Sequence, residues 1–204
     1  MVAAVAVALI LSLLRPDEVR VAPAWVLPAV EVVLLVVLIA RDPGRIDRRA
    51  TGLRVVSITV VALLAVDALV ASIHLVAVLI EGGDTTSSAT TLLAAGGVVW
   101  ASNLLAFSLL YWELDSGGAA ARAHGVHPFP DFAFPQQLSP GIAGPGWRPQ
   151  FIDYLYLGLT CSTAFSPTDV MPLTPWAKVA MGGQSLVSLV VVGLVVARAV
   201  NVLT

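Results

Sequence analysis

The sequence predicts an all-α membrane protein with about five transmembrane helices and one short re-entrant helix between the last two. Three observations predict it. Of the 204 residues, 58% are hydrophobic and 12% charged, with a mean hydropathy of +0.91. A soluble domain carries roughly 25% charged residues, and a globule of this size could not hide so much apolar surface. Several apolar runs match the ~20 residues a helix needs to cross ~30 Å of hydrocarbon. One further run, Phe151 to Phe165, is apolar and aromatic but too short to cross, and it ends in Ser166-Pro167-Thr168-Asp169, a turn composition. The composition excludes a soluble cytoplasmic enzyme. A net charge of −2 with no basic stripe excludes a nucleic-acid binder.

Taken in order, Val2 to Leu14 is a short first span, closed by Arg15-Pro16-Asp17-Glu18. It lacks the positive leader and cleavage site of a signal peptide, and the sequence reads as though more chain precedes it. Ala24 to Ala40 is the second span, approached through Pro23 and carrying Glu31. Val55 to Ile80 is the third, long enough to tilt, and Ala89 to Tyr111 the fourth. Residues 113–150, rich in Gly, Pro, Ala and His, form a polar, irregular connector. Residues 151–174 supply the re-entrant helix and its turn, and residues 175–203 the last helix, opened by Pro175. Two regions follow: N-terminal helices over 1–88 and a pore-like module over 89–204.

Five of the ten arginines (Arg41, Arg45, Arg48, Arg49 and Arg54) lie between the second and third spans. Short basic loops stay in the cytoplasm, so the connector is expected inside and the C-terminus outside.

The polar residues within apolar runs are the candidates for chemistry. Asp67 and His74 stand seven residues apart on one face of the third span, roughly 10 Å apart along the axis. A charge at the bilayer centre costs ~2.5–3.5 kcal/mol on insertion scales, so it needs a partner or water. The pair reads either as a proton or cation path, or as a protonated Asp67 that glues helices together. Glu31, near a span end, reads as structural, and Asn103 as an interhelical hydrogen-bond donor. Tyr111-Trp112-Glu113-Leu114-Asp115 reads as an interfacial anchor. Gly182-Gly183 and Gly193 read as packing positions. His124, His127 and Asp131 fall short of a metal-ligand spacing, and the single cysteine, Cys161, has no internal partner. With no phosphate loop, zinc motif or nucleophile elbow, no enzyme, cofactor or metal is expected.

Residues 160–174, TCSTAFSPTDVMPLT, followed by a helix from Trp176, resemble the pore module of potassium channels. Asp169, Pro172 and Thr174 match the DxxPxT that follows the TVGYGD filter in that family, and Phe151 to Thr163 takes the place of the pore helix. Ala164-Phe165-Ser166-Pro167-Thr168 stands where the glycine-bearing filter would be, so the resemblance implies a pore without a glycine-built carbonyl stack. From Trp100 to Leu203 the chain is also similar to an uncharacterised family of bacterial inner-membrane proteins. The matching residues are Tyr111-Trp112, Phe134-Pro135, Asp153-Tyr154, Phe165 to Asp169, and Asn201 to Leu203. With the basic loop inside, the turn would dip from the cytoplasmic face, as in the inverted pore of glutamate receptors.

These resemblances imply a multi-pass protein of the bacterial plasma membrane. It would be a homo-oligomer, tetrameric if a pore, passing monovalent cations between candidates Thr163, Phe165, Ser166, Pro167, Thr168 and Asp169. The alternatives are a non-conducting structural or regulatory membrane protein, and a proton-coupled small-solute transporter using Asp67, His74 and Glu31. No nucleic acid is expected as partner; the lipid bilayer is.

Overall fold

The computed structural model describes residues 2–16, 29, 32, 33, 36, 51–82, 88–125, 129–144, 146–166 and 169–203. The expected second span, with Glu31, lies outside the described residues apart from four isolated positions, as do His127, Pro167 and Thr168. Among the described residues the chain is mostly helical. Helix α1 covers Val2–Leu14, α2 Thr51–Glu81, α3 Ala89–Leu114, α4 Ala119–His124, α5 Pro135–Leu138, α6 Phe151–Thr163 and α7 Pro175–Leu203. Two-residue strands β1 (Phe132–Ala133) and β2 (Met171–Pro172) pair antiparallel, with Phe132 opposite Pro172 and Ala133 opposite Met171.

Among the described residues three helices are long and apolar enough to cross a membrane: Arg54–Glu81, Ala89–Gly117 and Pro175–Val202. At 1.5 Å per residue the 31 residues of α2 extend about 46 Å, beyond the ~30 Å hydrocarbon layer. Local chemistry sets the ends. Gly82, at φ 84°, takes the left-handed position after α2 and donates its N–H to the Val78 carbonyl at 2.9 Å. Pro175 opens α7, where its missing N–H has no helical acceptor to lose. Asp153 accepts the Gln150 N–H at 2.6 Å and so closes the start of α6.

Helix α3 is the hub, packed by α1, α2, α6 and α7. Its most apolar stretch is 61% buried within the chain, against 28% for α7, so most of α7's apolar surface faces outward. Between apolar helices in lipid, burial of oily surface supplies little drive, and close backbone approach and hydrogen bonds take over. Gly96 and Gly158 supply the approach. A Cβ at Gly96 would come within 2.8 Å of the Val195 side chain on α7. At Gly158 it would drive into the Ser108 hydroxyl of α3 and lie 3.2 Å from the Leu104 carbonyl oxygen. By contrast, among the described residues nothing lies within 4 Å of a Cβ built at Gly182, Gly183 or Gly193, so it is Gly96 and Gly158 that mark the crossings of the described helices.

Gly158→Ala is therefore expected to destabilise the fold by ~1–3 kcal/mol, because neither the Leu104 backbone nor Ser108, bonded to it at 2.8 Å, can yield freely. Thermal unfolding in detergent reads the loss. Adding Ser108→Ala should recover part of it, and equal stability of Gly158→Ala and the unmutated protein would refute this crossing.

Candidate functional site

The depth of α6 follows from its contacts with α3. Trp112 meets Phe151 edge-on at 6.1 Å between ring centres, Ser108 abuts Gly158, and the Trp100 indole N–H donates to the Ser162 carbonyl at 3.4 Å. So α6 runs antiparallel to α3 and covers only its second half. Helix α7 covers the whole of it: Tyr111 pairs with Gln184, Asn103 with Ser188, and Gly96 sits against Val195. The segment after Thr163 thus begins beside Trp100. That level is about 17 Å from the Ala89 end of α3 and about 21 Å from the Leu114 end, at 1.5 Å per residue. By Met171 the chain is back at the Leu114 end, where β2 pairs with β1 and the Phe132 ring lies 5.2 Å from Tyr111.

Of the expected turn residues, Thr163, Phe165, Ser166 and Asp169 are exposed, whereas Val170 is buried. Thr163 donates its hydroxyl to the Leu159 carbonyl at 2.8 Å. Asp169 is exposed yet engaged by a neighbouring group. Phe165 holds φ at 55°, the left-handed region that bulky side chains avoid.

Behind the turn, α6 is locked. Gln184, with no exposure, accepts from the Tyr111 hydroxyl at 2.7 Å and donates to the Gly158 carbonyl at 2.9 Å and the Ser162 hydroxyl at 3.0 Å. One amide thereby ties three helices, and a buried amide in an apolar bundle is tolerated because it is bonded on both sides. Asn103 donates to Ser188 at 3.1 Å, the interhelical bond expected of it. Tyr154, Leu157 and Cys161 are fully buried.

At the Leu114 end a clamp holds the start of α6, the connector and the start of α7 together. The Asp115 carboxylate, 1% exposed, accepts the Asp131 N–H at 2.9 Å, the Phe132 N–H at 3.3 Å, the Ser116 hydroxyl at 3.1 Å and the Tyr154 hydroxyl. Asp131 accepts the Ser116 N–H and the Trp176 indole N–H, each at 2.8 Å, while its carbonyl takes the Leu173 N–H at 2.8 Å. The Arg122 guanidinium lies 4.4 Å from the Trp112 ring centre and 5.1 Å from that of Tyr154, and donates to the Asp115 carbonyl at 2.6 Å. Burial, and next the Asp115 charge, push the Tyr154 phenol well above its ordinary value of 10.0. It stays a neutral donor, so its bond contributes fully below pH ~10 and is lost only as pH rises further. Within the connector, short helical turns and β1, which pairs with β2 beyond it, alternate with irregular chain, and this clamp ties them together.

The intramembrane candidates separate. Asp67 pairs with Arg15 at 2.7 Å, both side chains almost fully buried. The partner is an arginine that the sequence marked only as the end of the first span. Asp67 therefore sits in an ion pair rather than as a lone acid. The apolar partners of α1 run from Val56 to Ala68 on α2 and from Ala106 to Leu110 on α3, so α1, like α6, lies along the Leu114 half of the bundle. His74 is half-buried, and its Nδ1 has no hydrogen-bond partner among the described residues. Glu113, near Arg54 and Arg122 and bonded to Ser57, joins the start of α2 to the end of α3. His124 closes α4, and no group of three or more His, Cys, Asp or Glu side chains able to hold a metal occurs among the described residues.

Compared with protein families, curated proteins and solved structures, the chain matches none. The two family resemblances rest on their short residue matches alone.

Proposed function

We propose that the chain is a multi-pass protein of the bacterial plasma membrane in which α6 is a re-entrant pore helix. Identical copies, four in the potassium-channel-like arrangement, would surround a monovalent-cation path at the turn 165–169. One observation carries the reading: an irregular, exposed segment from Ala164 to Ser166 at the level of Trp100, about midway along α3. Irregular backbone at membrane depth cannot face lipid, because its N–H and C=O groups would go unbonded there; it needs protein or water around it. The described residues of one copy leave the turn exposed, and in this reading other copies and an aqueous path between them surround it. A non-conducting structural role accounts for the buried face of α6 but gives no use to a turn that the described residues leave exposed. A proton-coupled transporter would need Asp67 free, and Arg15 occupies it.

In this reading α6 enters from the end that carries Arg54, Arg122 and Arg148, which the positive-inside rule assigns to the cytoplasm. Asp169 lies near the turn, where a ring of carboxylates concentrates cations. Asp169→Asn keeps an acceptor oxygen and turn compatibility, so folding should survive. Cation flux into liposomes is expected to fall roughly tenfold at low ionic strength and much less at high salt, where screening hides the charge. Unchanged flux at low salt would remove Asp169 from the path. Absence of flux from the unmutated protein under every cation gradient would overturn the channel reading.

A further inference from the structure

We propose that Phe165 is the hydrophobic gate of this pore, its ring closing the water path at the depth where α6 ends; this rests on the pore reading above. Two described non-glycine residues have positive φ, Ser116 at 50° and Phe165 at 55°. The contrast between them is informative. Ser116 is held by its surroundings: its N–H goes to Asp131 and its hydroxyl to Asp115, so the clamp offsets its strain. Among the described residues, no such bonds hold Phe165. No ring contact of Phe165 is formed among the described residues, and the side chain is 37% exposed. The left-handed conformation is glycine's by default and is most unfavourable for bulky side chains. A bulky aromatic kept there, more than a third of its surface exposed beside polar neighbours and without a ring contact among the described residues, points to a role outside that chain. Backbone strain of this kind collects at gates and clamps.

The neighbours fit such a role. Thr163, Ala164 and Ser166 are exposed beside Phe165, small or polar, and give a lining that water wets. The ring is the one large apolar group among them. Copies arranged about an axis would bring their Phe165 rings together, and an apolar constriction of that kind excludes water and stops ions without any plug. Asp169 and Phe165 then divide the work: the carboxylate gathers cations at the mouth, and the ring decides whether they pass. Helix α6 itself need not move for the ring to swing, since Gln184 and Trp100 hold the helix behind the turn.

The test compares passive potassium flux into liposomes for the unmutated protein, Phe165→Gly and Phe165→Leu. Glycine removes the ring and relieves the positive φ, so the variant should fold at least as well, as read by its unfolding temperature. Its flux should rise by roughly an order of magnitude, because the constriction then stays wet. Leucine keeps the apolar bulk and should stay near the unmutated level. Measurable flux in the unmutated protein that rises in the glycine variant but not in the leucine variant would support both the pore and the gate. Measurable flux that glycine leaves unchanged would overturn the gate and leave the pore. Equal increases in glycine and leucine would also overturn it, since bulk would then not matter. No flux in any of the three would overturn the pore reading, and the gate with it.

Discussion

Asp67→Ala is expected to destabilise the protein by about 3–5 kcal/mol, the cost of leaving a buried charge without its partner. Arg15 and Asp67 are 6% and 7% exposed, and their N···O separation is 2.7 Å. The guanidinium also reaches the Asp67 main-chain carbonyl at 3.5 Å, while its Nε has no hydrogen-bond partner among the described residues. A lone guanidinium at that depth must find water or drag α1 toward the interface, and either disturbs the packing of Val5 and Leu9 against Val60 and Leu64. Arg15→Ala should cost about as much, since it strands the carboxylate instead. Removing both charges in Arg15→Leu with Asp67→Leu should restore most of the stability, because apolar side chains of similar bulk fill the site without needing partners. Unfolding temperatures of the two single variants and the double variant in detergent form the cycle. If both single variants stay within about 1 kcal/mol of the unmutated protein, the pair is not a structural tie.

What the sequence made legible depended on range. The long helices α2, α3 and α7 were visible as apolar runs because a helix in lipid must bury its backbone within itself, a constraint read residue by residue. Their limits moved by a few residues, with α2 starting at Thr51 rather than Val55 and α3 running to Leu114 rather than Tyr111. The short apolar Phe151–Phe165 run became helix α6 followed by an exposed turn. The ties that hold these elements were hidden, because each joins residues far apart in the chain. Arg15 meets Asp67 across 52 residues, and Asp115 meets Tyr154 across 39. Asp115 read as one more acid in an interfacial belt, with nothing local to mark it as an acceptor of four bonds. The glycines teach the same lesson: Gly182-Gly183 drew notice as a pair, whereas lone Gly96 and Gly158 stand where helices cross. A Ser near Gly158 at crossing distance could not be seen before the α3–α6 register was known.

Replacing Asp115 by alanine should loosen the whole Leu114 end of the molecule while leaving the contacts of α1 with α2 intact. The substitution strands the Asp131 and Phe132 N–H groups and the Tyr154 hydroxyl, all of which the carboxylate now receives. Hydrogen bonds to a charged group contribute ~1.5–3 kcal/mol each, and bonds sharing one acceptor do not add. The expected loss is about 3–5 kcal/mol, near the top of the range for single substitutions. Tyr154→Phe removes one bond and should cost ~1–2 kcal/mol. Asp153→Ala, which removes only the link at the start of α6, should cost about 1 kcal/mol and serves as a control on the same helix. The distinguishing readout is local. A broad-specificity protease should cut Asp115→Ala within 119–150 much faster than the unmutated protein, because Asp115 joins that connector to α6, and through Asp131 to α7. Cleavage there should stay slow in Asp153→Ala. If Asp115→Ala resists the protease as well as the unmutated chain does, the clamp is not what holds the connector. The aromatic packing of Phe132 against Tyr111, Tyr154 and Trp176 would then be sufficient to hold it.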